Sequence, residues 1–141
     1  MITANDLAKA FAFNVRGAKE LCKGLTHADS ILQPPARGNC LNWVLGHILD
    51  TRDGVLKLLG QPGILSEEQC KRYGYGSQPV CEDGADILKL EDAMALLEKS
   101  QSALEAALAA ASEETLAKDH KSFMGVTSLA FFILIMYRHE S

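Results

Sequence analysis

No run of Lys or Arg stands out in this chain, and its formal net charge is -4 with a pI near 5.5. The basic footprint of a nucleic-acid binder is therefore missing. Aromatic residues make up only 6%, too few for a platform on which single-stranded bases stack. The longest apolar stretch, Ser128 to Tyr137, is well short of the ~20 residues that a bilayer span requires. Neither nucleic acid nor a membrane is an expected partner. The four cysteines (Cys22, Cys40, Cys70 and Cys81) include no C-x-x-C pair. With no secretory signal read ahead of the first helix, reduced thiols and a cytoplasmic location are expected. A Gly-rich phosphate loop and a G-x-S-x-G elbow are both missing. No segment sustains the period-two alternation of a half-buried strand.

What is present is helical periodicity. Apolar residues make up 48% and charged residues 23% of 141 positions, which suits one globular domain over 1–141. The first helix is read from about Ala4 to Leu25. Leu7, Phe11, Val15, Ala18, Cys22 and Leu25 form its stripe, with Thr3 or Asn5 as cap and Gly24 near its end. Pro34-Pro35 and Gly38-Asn39 mark a loop. The second helix runs from Leu41 to Leu59, capped by Asn39 or Asn42 and stopped by Gly60 and Pro62. A long irregular stretch over 60–88 holds five glycines and one short helix in "SEEQCKRYG", capped by Ser66. The third helix spans Lys89 to Ala111. The fourth starts near Val126, capped by Thr127, after another irregular stretch that opens with a helical turn at Ser112.

These spacings predict an all-α, up-down four-helix bundle with a long irregular connection between helices two and three. The lengths do not match. At 1.5 Å per residue the fourth helix reaches about 22 Å and the third about 34 Å.

Among the histidines, His47 sits mid-helix among Val44, Leu45, Ile48 and Leu49, with Trp43 one turn before it. It is either a core histidine bonded across the bundle or a metal ligand. His139 follows an apolar helix, where a cation suits the negative end of the helix dipole. Yet "HES" also begins an H-E-x-x-H pattern, in which histidines four apart share a metal. His120 reads as an exposed loop histidine. Cys40 opens the second helix, where the dipole favours a thiolate, or it is simply a small packed residue. Asp50 and Asp53 read as solvated or paired with Arg52 or Lys57.

The segment "NWVLGHILDTRDGVLKLLG", with Trp43, Gly46 and His47 as W-x-x-G-H, resembles the second helix of the DinB/YfiT-like metal-enzyme family. The lead "LQPPARGN" and the tail "GVTSLAFFILIMYRHES" are similar to the corresponding family segments, so the resemblance covers nearly the whole chain in order. It implies a four-helix bundle with a three-histidine site for a divalent metal, zinc or nickel, in which His47 and His139 are ligands. The family's last helix continues as H-E-x-x-H-x-G-Q. Here the chain has 141 residues, so the third ligand falls beyond Ser141 and the last helix is read as shortened. Solvent, His120 or Glu140 would have to fill the gap.

The resemblance also implies a metal-dependent thiol S-transferase, isomerase or hydrolase, acting on a small-molecule or thiol substrate. The alternative is a non-catalytic homodimer. A short fourth helix would leave apolar surface on the first and third helices for a second copy to cover. If the metal reading holds, the rings of His47 and His139 converge on a common point from facing helices.

Overall fold

The computed structural model describes residues 2–141. Its elements in order are α1 (Ala4–Leu21), α2 (His27–Ser30), α3 (Leu41–Leu58), α4 (Glu67–Tyr73), α5 (Leu90–Ala110), α6 (Glu113–Ala117), β1 (Asp119–Ser122), β2 (Gly125–Ser128) and α7 (Leu129–His139). Four long helices make the frame. α1 and α3 both pack on α5, and α7 packs against α1 and α3.

Local chemistry sets the element ends. Thr3 and Asp6 form a capping box at α1, and Ser66 with Gln69 forms one at α4. α3 ends in a Schellman arrangement. The Gln61 N–H donates to the Leu56 carbonyl and the Gly60 N–H to that of Lys57, with Gly60 at φ +74°. α1 stops four residues before the expected Leu25, which is solvent-exposed. The cap of α3 is Cys40 rather than Asn39 or Asn42, and its side chain makes no cap bond. Asn42 is buried and bonds to Tyr73 and Leu88 instead.

The expected start of the last helix near Val126 is corrected. Residues 119–122 and 125–128 form an antiparallel hairpin, with His120 opposite Thr127 and Lys121 opposite Val126. Ser128, not Thr127, caps α7 by accepting from the Phe131 N–H. Four-residue strands, one of them the wholly polar Asp119–Ser122, are too short to display an alternation. Gly125 at φ +89° allows the tight return.

α7 has 11 residues and α5 has 21, and the core comprises two apolar clusters. One apolar cluster joins Leu7, Phe11, Val55, Leu104, Leu108 and Ile133, so α7 covers that half. The other joins Val15, Leu45, Leu49, Leu97, Tyr73 and Val80, and contains no residue of α7. There the 60–88 connection packs on the long helices through Tyr73, Val80, Ile87 and Leu88. The expected bare surface on the third long helix is thereby corrected: among the described residues α5 exposes no large apolar side chain, whereas α1 exposes Phe13 and Leu21.

Between the two clusters lies a polar layer. Arg52 is fully buried, between Leu49 and Val55 on α3. Its guanidinium donates to both carboxylate oxygens of Glu140 at 2.8 and 2.6 Å, and the Glu140 side chain is fully buried as well. It also donates to Ser100 Oγ, Gln101 Oε1 and the Phe11 carbonyl. One side chain thus ties α3 to α1, α5 and the end of α7.

Glu140→Ala leaves this guanidinium without its counter-charge and is expected to cost about 3–5 kcal/mol, read by urea denaturation. Replacing both partners by methionine is expected to cost less than Glu140→Ala alone, because no charge is then stranded.

Candidate functional site

The site grows from one face of α3. Trp43, His47, Asp50, Thr51 and Gly54 recur at helical spacing, three to four residues apart. The Trp43 ring stacks on the His47 ring, with centroids 4.7 Å apart and planes 18° apart. Gly46 has a different reason to be small. A Cβ there would lie 2.1–2.4 Å from the Tyr73 ring, which is fully buried against the helix backbone. The W-x-x-G-H spacing therefore has a physical basis: one aromatic ring stacks on the histidine and another lies over the glycine.

Tyr73 is held firmly. Its hydroxyl donates to Asn42 Oδ1 at 2.9 Å and accepts from the Leu88 N–H at 2.7 Å. Asn42 Nδ2 in turn donates to the Leu88 carbonyl at 2.8 Å. This closed set of bonds fastens the long connection to α3. It also aims the Tyr73 carbonyl at His47 Nδ1, 2.8 Å away. A carbonyl can only accept, so Nδ1 carries a proton, and in the neutral ring the lone pair falls on Nε2.

His139 ends α7. Its Nε2 lies 3.0 Å from His47 Nε2, with ring centroids 5.2 Å apart and planes 79° apart. The two histidines singled out in the sequence thus meet from separate helices. Glu140 is not available to join them, because Arg52 holds it. His120, expected on an exposed loop, is half-buried on β1, packed on Phe132 at 4.4 Å. It lines the same cavity of about 880 Å³ as His47, His139 and Asp50. No signal in the sequence placed it there, since the hairpin must first fold back. Among the described residues, no three His, Cys, Asp or Glu side chains are grouped closely enough to hold a metal.

The expected pairing of the two aspartates divides. Asp53 is buried and pairs with Lys57 at 2.7 Å, while accepting from the Ile64 and Leu65 N–H groups. Burial alone would raise its pKa, but Lys57 and these amide donors outweigh it and hold the carboxyl below 3.8. Arg52 pairs with neither aspartate. Asp50 is half-buried with no salt bridge among the described residues. Burial is the main cause that lifts its pKa above 3.8. Its position three residues after His47 was the signal that it shares the site. Cys70 is not a ready nucleophile, because burial and then Asp53 push its thiol up to about 11. Cys40 is buried, its thiol donating to the Val80 carbonyl at 3.2 Å.

The profile of the DinB superfamily matches residues 11–141. No curated protein sequence matches the chain. Two solved structures share its fold. One is a mycothiol-dependent maleylpyruvate isomerase, 15% identical, with a TM-score of 0.67 over 99% of this chain. The other is a mutant of a mycothiol-dependent maleylpyruvate isomerase, 14% identical, with a TM-score of 0.67 over 98%. The chain covers 60% of the length of each.

Gly46→Ala forces the Tyr73 ring outward and is expected to cost about 1–3 kcal/mol in chemical denaturation. Asp50→Asn is expected to raise the melting temperature at neutral pH. The folded-state pKa of Asp50 is raised, so ionising it costs stability as pH rises through that value. Below 3.8 both states are protonated, and the gain from the substitution should disappear there.

Proposed function

The chain belongs to the DinB superfamily, and on that premise we propose that it is a divalent-metal-dependent enzyme of the thiol S-transferase, isomerase or hydrolase type, with His47 and His139 as metal ligands. The observation that carries this reading is the 3.0 Å separation of their Nε2 atoms. Two imidazole nitrogens at zinc-binding distances, with bond angles between about 90° and 110°, lie about 2.8–3.4 Å apart. The donor chemistry agrees, because nitrogen ligands suit zinc and nickel. The Tyr73 carbonyl on Nδ1 is the outer partner that a ligating histidine commonly has. Two protein donors fit two corners of the site and leave the others for solvent or substrate.

A bound ion would supply Lewis acidity that lowers the pKa of a coordinated thiol or water. The chain's own residues do the rest. Tyr73 keeps the proton on His47 Nδ1, and Trp43 stacks against that ring. Arg52, through Glu140, holds the last turn of α7 where His139 reaches the site. The thiol-dependent isomerases that share the fold support a thiol as co-substrate.

A homodimer is the second reading. It rests on the hairpin, where Phe123 and Val126 are exposed. Sedimentation equilibrium reads it directly, and a monomer at micromolar concentration sets it aside.

Calorimetric titration of the stripped protein with zinc or nickel is expected to show one site. His47→Ala or His139→Ala should each weaken it by about a hundredfold or more. Unchanged metal affinity in both variants would remove the proposal.

A further inference from the structure

The histidine pair occupies one part of a cavity whose other walls the proposed metal chemistry leaves unexplained. At about 880 Å³ the cavity falls within the size range of small-molecule sites. Val55 and Leu58 of α3 and Phe132 and Met136 of α7 form its sides. Tyr75, from the loop after α4, and Phe123, at the hairpin turn, also line it. These two rings are 96% and 83% exposed, so they are apolar surface that a ligand would cover. Phe123 meets Phe132 edge-on at 6.4 Å, and Phe132 packs on His120. One wall is therefore a ready-made train of three rings.

Charge in this cavity is scarce and of one sign. Among its lining residues Asp50 supplies the sole carboxylate, and no Lys or Arg occurs. Away from the histidine pair, an anionic ligand body would meet apolar wall and a like charge with no Lys or Arg to match it. An uncharged or cationic one would not.

The geometry points to a small ligand with a planar aromatic body, neutral or cationic, that packs between Tyr75 and Phe123, with Asp50 as the residue that turns anionic bodies away. This rests on the metal reading only for which end of the ligand reacts. The body is selected by the walls, whose aromatic rings favour stacked or edge-on contact with another ring. A cationic head gains further from Asp50.

The test uses matched probes that share one ring: 2-phenylethanol, 2-phenylethylamine and phenylacetate. Binding to the full chain is measured calorimetrically at about pH 8, where ordinary imidazoles are neutral, in EDTA and again with zinc. In EDTA the alcohol and the amine are expected to bind, with phenylacetate at least about tenfold weaker. Asp50→Asn should bring phenylacetate to within about threefold of the alcohol. Tyr75→Ala combined with Phe123→Ala changes only exposed side chains and should weaken all three probes by about tenfold. Phenylacetate binding as tightly as the alcohol in EDTA would overturn the assignment. So would a double variant that binds like the parent, or a dimer that dissociates on Phe123→Ala, because a second copy would then cover the rim. Aromatic probes binding where zinc does not would remove the metal reading and keep this one. Zinc binding with no probe bound would do the reverse.

Discussion

Arg52 is held out of water at the middle of the bundle, and the end of α7 depends on how its charge is met. A buried guanidinium needs a counter-charge and acceptors for its remaining donors. Glu140 supplies the first, and Ser100, Gln101 and the Phe11 carbonyl supply the second. Asn14 adds to the same layer by donating to Glu140 Oε1 and to the Tyr137 carbonyl. Apolar contacts alone would let a short helix slide or rotate at little cost. A bidentate ion pair at its last turn does not, because its geometry is directional. His139 is the residue just before Glu140, so the pair that locks the helix also sets the phase of its histidine.

The other half of the site is fixed by a different device. α7 covers one of the two apolar clusters and the 60–88 connection covers the other. Tyr73 anchors that connection through Asn42 and Leu88, and the same residue's carbonyl sets the tautomer of His47. Packing and site chemistry therefore share their residues. The two histidines meet where the α7-covered half and the connection-covered half adjoin. The cavity opens beside them, lined by residues of α3, α7 and the hairpin.

Much of this was legible in the residues. The stripes Leu7–Phe11–Val15, Leu45–Leu49–Val55–Leu56 and Leu90–Leu97–Leu104–Leu108 are buried as their spacing requires. Ser66 caps its short helix as expected. The hairpin was not legible, because its register comes from a glycine turn and two four-residue strands rather than from alternation. Nor were the partners of Arg52. Sequence neighbours offered Asp50 and Asp53, but an arginine on the buried face of α3 points away from Asp50, and Asp53 is taken by Lys57 and two amides. Glu140, 88 residues away, had no local signal at all.

The amino-acid order by itself determined which segments coil, which faces turn inward, and that Gly46 precedes a histidine with a tryptophan one turn behind it. These are short-range matters of periodicity, capping and side-chain size. Only the tertiary structure decided that His47 and His139 come within hydrogen-bonding distance, that Glu140 is spent on Arg52, and that His120 joins the cavity wall. Each of those depends on where distant helices cross, and crossing is set by how buried volume and buried charge are satisfied together.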